Sequence, residues 1–150
     1  MGYADRIGTN RREIGMTTKV KVDYQKLYLE AVSRGQKRAL EARPTPMIVG
    51  TPTTFMGDDI DYKKKTYFVA GGVCGFASIG IKPARGGFVK YLKDKDIGYA
   101  RYYGGYSIPA RPIVEGALVQ SMEINEAYAR GFAEVLRENG IECFVESRMD

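Results

Sequence analysis

Between Lys82 and Tyr106 the chain alternates cations with aromatic rings: KPARGGFVKYLKDKDIGYARYYGGY. Lys82, Arg85, Lys90, Lys93 and Arg101 are interleaved with Tyr91, Tyr99, Tyr102, Tyr103 and Tyr106. Single-stranded nucleic acid needs this pairing, with positive charge for phosphates and flat rings for bases. The competing reading buries the rings under helices and leaves the lysines on a solvated face, because tyrosine often serves as half-core. Inside the segment, Lys82, Arg85, Gly86 and Gly87 stand where a strand should pass into a helix. Free backbone N–H groups and two cations at such a start favour an anion. The stretch is neither a P-loop nor a dinucleotide fingerprint, and a turn that needs glycine explains the same residues. The expected ligand-binding set is therefore Lys82, Arg85, Gly86, Gly87, Lys90, Lys93, Arg101, Tyr102, Tyr103 and Tyr106.

Other chemistries find little support. The chain has no histidine, which removes the commonest general base and the usual partner of a Ser or Cys nucleophile. Cys74 and Cys143 are the only cysteines, each inside an apolar run, and read as two buried thiols. Two isolated cysteines make no tetrahedral metal site. Asp58, Asp59 and Asp61 read as a solvated turn, and Glu123, Glu126, Glu134 and Glu138 as the wet side of a helix. The expectation is a protein without catalytic residues, metal or cofactor.

These residues must be carried by a fold, and the pattern predicts an α+β one. Asp23 caps a helix whose apolar residues recur at Tyr24, Leu27, Tyr28, Ala31 and Val32, weakened at Gly35 and ended before Pro44. Pro44, Pro46, Pro52 and Gly57 punctuate an extended linker with a short strand at Met47–Val49. TYFVA (66–70) reads as a core strand. VCGFASIGI (73–81) is apolar on both alternating faces, which predicts a central strand covered on both sides. Pro83 opens a short helix closed at Gly98, and one or two strands surround Gly104-Gly105. Ser121 caps a third helix with a Tyr128, Phe132, Val135, Leu136 stripe, stopped at Asn139-Gly140, before a strand with one wet face. The boundaries are a basic arm (1–22), an N-terminal helix (23–43), a linker (44–65) and an α+β core (66–150), in one domain. Two helices on one face of a three- to five-stranded mixed or antiparallel sheet, as a ferredoxin-like split βαβ, is the expected topology.

Four segments together resemble a set of small bacteriophage-encoded proteins of unassigned function: YFVAGGVCGFASIGIKP (67–83), YYGGYSI (102–108), AYARGFAEVLRENGI (127–141) and SRMD (147–150). The resemblance spans about residues 44–150 and leaves the N-terminal arm outside. Where such proteins carry tryptophan, this chain has Ser78 and Pro109–Ala110. The resemblance implies a phage origin, with host cytoplasm or the virion as its place, and transfers no active site.

Charge distribution completes the expectation. Residues 82–101 carry six cations against two carboxylates, whereas 115–150 carry eight carboxylates against three cations. Such asymmetry suits an anionic partner, or contact between copies of the chain. No apolar run approaches the roughly 20 residues of a membrane span, so no membrane partner is expected. The leading expectation is a non-catalytic phage accessory protein binding an anionic ligand, above all nucleic acid. The alternatives are a virion or assembly component that meets neighbours through its arm as a homo-oligomer, and a nucleotide-signal sponge or inhibitor of a host factor.

Overall fold

The first helix begins at a carboxylate cap. Asp23 accepts a hydrogen bond from the Lys26 N–H at 3.1 Å, and α1 runs Tyr24–Glu41. Its buried stripe is Leu27, Ala31, Gly35 and Ala39, at the three-to-four-residue spacing of one helical face. The computed structural model describes residues 21–51, 53–54 and 59–150; residues 1–20, read above as most of the basic arm, and Asp58 lie outside them. Next, β1 (Met47–Val49) pairs antiparallel with β2 (Tyr67–Val69) in a sheet of its own. The 66–70 segment thus belongs to this hairpin. It is no strand of the main sheet.

The main unit follows as β3 (Gly75–Ile81), α2 (Gly87–Asp94), β4 (Tyr99–Ala100), β5 (Tyr106–Pro109), a small hairpin of β6 (Ile113–Val114) and β7 (Ala117–Leu118), α3 (Met122–Glu138) and β8 (Phe144–Met149). Its sheet has the order β4-β5-β3-β8, with every neighbouring pair antiparallel. With the β6–β7 hairpin set aside, the order is β-α-β-β-α-β and the first and last strands are neighbours, which is the ferredoxin-like split βαβ topology. Helix α2 starts four residues later than Pro83 suggests, because Gly86 has a φ of 103° that no helix residue adopts. Helix α3 is capped by Ser121, whose hydroxyl accepts from Ile124 N–H, and ends at Asn139 before Gly140 at φ 79°.

The inward positions of β3, β5 and β8 meet the helices. Ala77, Ile79, Ile81, Tyr106 and Ile108 are buried with Phe88, Val89 and Leu92 of α2 and Tyr128, Phe132, Val135 and Leu136 of α3. On that same side α1 lies against α3, and its Tyr24 and Tyr28 rings reach Phe88 and Tyr91 of α2. Gly35, expected to weaken α1, is instead the point of closest approach. A Cβ there would come within 2.8 Å of the Tyr128 carbonyl oxygen, and one at Gly131 within 2.7 Å of the Arg34 carbonyl oxygen. Flanking that crossing, Arg34 pairs with Glu134 at 3.2 Å and Glu138 at 3.0 Å, and Arg38 with Glu134 at 3.2 Å. Burial resists ionisation of Glu134, but hydrogen bonds from Arg38 and Arg34 outweigh it and hold its carboxyl below the ordinary range. Burial, with Tyr28 nearby, pushes the Tyr128 hydroxyl up to about 12.

Two outcomes check this crossing. Alanine is the better helix former by about 1 kcal/mol, so Gly131→Ala would stabilise a helix with room to spare. Here it should destabilise by about 1–3 kcal/mol in urea denaturation, because the backbones must move apart. The Glu134 carboxyl is depressed in the folded state, so its stabilisation is present above the ordinary carboxyl value and lost as pH falls through the lowered one. The wild-type Tm should therefore fall more steeply than that of Glu134→Gln below pH 4.5, with the two curves converging in stronger acid.

Candidate nucleic-acid interface

Among the described residues all three helices lie on one side of the sheet, and nothing covers the opposite side. Residue parity assigns that face: Phe76, Ser78 and Gly80 of β3, Ser107 and Pro109 of β5, Tyr99 of β4, and Phe144, Glu146 and Arg148 of β8. The expectation that β3 is central is met; cover on both sides is not. Phe76 is 51% exposed and Tyr99 57%. A shallow groove of about 510 Å³ runs between them, floored by Ser78, Ser107 and Pro109 and edged by Arg101, Glu146 and Arg148.

Two arginine–aromatic stacks shape the groove. The Arg148 guanidinium sits 5.3 Å from the Phe76 ring centre, and the Arg101 guanidinium 5.4 Å from that of Phe144. Gly80 lets the second stack form, since a Cβ there would overlap the Phe144 ring. Arg101 Nη2 donates to Glu146 Oε2 at 2.9 Å, and Nη1 lies 2.7 Å from Oε1 as an ion pair without hydrogen-bond alignment. This pair raises the Arg101 pKa further and neutralises its charge on the face. Next to it the β4–β5 turn, closed by Arg101 N–H to Gly105 O at 2.9 Å, holds Tyr102 and Tyr103 at 92% and 88% exposure. Their rings meet edge to face at 4.8 Å.

The ten residues expected to bind are therefore not one surface. Arg101 edges the groove, with Tyr102 and Tyr103 at the adjoining tip and the Lys82 side chain beside Gly104 and Gly105. Lys90 and Lys93 belong to α2, on the helix-covered side. Tyr106 is a correction: its ring is buried under the helices, its hydroxyl donates to Ile97 O at 2.6 Å, and Lys93 lies 5.9 Å from it. It has no face to offer a base. Arg85 and Gly86 are exposed at the turn before α2, while Gly87 is small because the Tyr24 ring packs on it. Phe76, Phe144 and Arg148 were missed, although strict alternation along β3 and β8 places all three on one face.

The thiols also need correcting. Cys74 is exposed and Cys143 half-buried, its Sγ 3.6 Å from Ala133 O. Cys74 shares the parity of Phe76, so the apolar run around it points one residue in two to the uncovered side. Burial pushes the Cys143 thiol up, against the pull of Arg137. Among the described residues no cluster of Cys, Asp or Glu is placed to hold a metal ion, and no helix is long and apolar enough to cross a membrane. No family model, curated protein or solved structure matches the chain. Titration of native protein with a thiol reagent at neutral pH should label Cys74 within the first fast phase and Cys143 in a slower one. Two equally slow thiols would contradict the assigned parity.

Proposed function

We propose that this protein binds single-stranded nucleic acid, without catalysis, on the open face of its four-stranded sheet. The observation that supports the reading is the exposure of Phe76 and Tyr99 on a sheet face whose cations, Arg148 and Arg101, already lie against rings or carboxylate. Exposed aromatic rings on a flat sheet offer stacking to any base, and sheet faces of this topology suit unpaired bases splayed across them. Ser78 lines the floor between the two rings, where a base edge would meet its hydroxyl. Tyr102 and Tyr103 extend the aromatic path beyond Arg101.

This placement changes the expected energetics. Glu146 competes with phosphate for Arg101, so the face presents little free positive charge and stacking should dominate affinity. Fluorescence anisotropy with a labelled single strand should give a log affinity against log salt slope of about −1.4, from two phosphates at ~0.7 each. Phe76→Ala and Tyr99→Ala should each cost about 1–3 kcal/mol with the slope unchanged. Arg148→Ala should reduce the slope by about 0.7, and Lys90→Ala, on the other side of the molecule, should change neither. Wild-type protein that binds no single strand at physiological salt, or Phe76→Ala and Tyr99→Ala variants that bind as wild type, would end this reading.

A further inference from the structure

The outer edge of β8 carries backbone groups turned away from the sheet. Asp150 N–H donates to Cys74 O at 3.0 Å, which sets the parity of the β3–β8 ladder. In an antiparallel pair, alternate residues exchange backbone hydrogen bonds with the partner strand and the others face outward. Phe144, Glu146 and Arg148 therefore bond to β3, whereas Val145, Ser147 and Met149 direct N–H and C=O to the free side. The opposite strand agrees: Ala77, across from Ser147, accepts from Ala110 N–H at 2.9 Å on its β5 side. Among the described residues no strand pairs with this edge, and Glu146 to Met149 are exposed. Soluble proteins blunt such edges with proline, bulges or very short strands. FVESRM has no proline, no glycine and six residues of regular pairing.

The edge is also complementary to itself. Aligned antiparallel on a second copy with Ser147 opposite Ser147, it sets Val145 opposite Met149 and Glu146 opposite Arg148. Ser147, Val145 and Met149 are the residues whose backbone groups face outward, so this register forms roughly six intermolecular backbone hydrogen bonds. Glu146 and Arg148 then occupy the non-hydrogen-bonded positions, where opposed side chains approach most closely and opposite charges attract. Met149, 68% exposed in the single chain, gains an apolar neighbour in Val145. Centring the pairing on Val145 instead sets Glu146 against Phe144 and loses the pairing of opposite charges.

We propose that this chain dimerises through its β8 edges in this register, about a two-fold axis at Ser147 perpendicular to the sheet. The two sheets become one, and both open faces lie on the same side. The interface does not rest on nucleic-acid binding, and its test contains none.

Sedimentation equilibrium of the full chain over a range of concentrations should show the mass rise from 16.7 kDa toward twice that value. Amide exchange of Val145, Ser147 and Met149 should slow as concentration rises, while Glu146 and Arg148, bonded to β3 in either state, change little. Ser147→Pro removes the N–H at the axis, which the single chain does not use, and should leave the far-UV spectrum unchanged and the protein monomeric. Arg148→Glu, on an exposed side chain, reads the same loss if the proline variant folds poorly, and should weaken the dimer at least about tenfold by opposing carboxylates to Glu146. A wild type that stays at 16.7 kDa overturns the proposal. So does protection of the three amides that is independent of concentration, which would mean that this edge is covered within one chain. Variants that dimerise like wild type overturn it as well, since the contact would then lie elsewhere.

Discussion

Where α1 crosses α3, two glycines face each other's backbones: Gly35 against the Tyr128 carbonyl and Gly131 against the Arg34 carbonyl. Side chains at either position would hold the axes apart, and the Arg34 and Arg38 bridges to Glu134 and Glu138 would lose their reach. The approach commits the whole apolar stripe of α1 to α3 and the start of α2. The two apolar residues left exposed on that helix, Leu29 and Leu40, lie outside this stripe. The open face is thus a consequence of helix packing. A split βαβ unit with its third helix added to the two already present must expose the sheet surface opposite them.

That exposed surface is held together by side chains that satisfy one another. Phe144 lies on the bare backbone of Gly80, Arg101 stacks on Phe144, and Glu146, on the same strand as Phe144, fixes Arg101 across the face. With side-chain exposures of 28% and 45%, the Arg101–Glu146 pair is worth at most about 1 kcal/mol, so its effect is on orientation more than on stability. The charge run in residues 82–101 is meanwhile split by topology. Lys90, Lys93 and Lys95 follow α2 to the helix side, and Arg101 returns to the sheet already paired. A basic segment in sequence is therefore not a basic surface in space, and the face is better described as aromatic with two tethered guanidinium groups.

Local signals were legible in the sequence wherever one residue decides the structure. The Asp23 and Ser121 caps, the Asn139-Gly140 stop and the buried Tyr128–Leu136 stripe follow from side-chain chemistry within one turn of helix. The strand order followed from the alternation of elements. Burial on β3 was read wrongly, because Gly, Ala, Ser and Cys between larger apolar residues look buried on either face. Only the neighbours Glu146 and Arg148, more than sixty residues away, show which face is wet. Tyr106 failed for the same reason: the phase of β5 against β3 turns it inward, and its hydroxyl has a local carbonyl to satisfy. Tyr67 to Val69 read as a core strand because its propensity is real, and only its pairing with Met47–Val49 removes it from the main sheet.

Strand β8 divides its groups between two directions by residue parity. The period of two sends the side chains of Phe144, Glu146 and Arg148 to the open face and their backbone groups inward to β3. Val145, Ser147 and Met149 do the reverse, turning side chains toward the helices and backbone groups toward the edge. Stacking and ion pairing on the face therefore draw on one set of residues, and backbone pairing at the edge on the other. Glu146 and Arg148 link the two sets: Glu146 bonds to Arg101 and Arg148 stacks on Phe76 within the chain, and in the proposed dimer each stands opposite the other of the second copy. A carboxylate has lone pairs for both guanidinium groups. Sharing it would loosen its hold on Arg101 while engaging Arg148, so pairing of the edges would redistribute the positive charge on the face without adding to it.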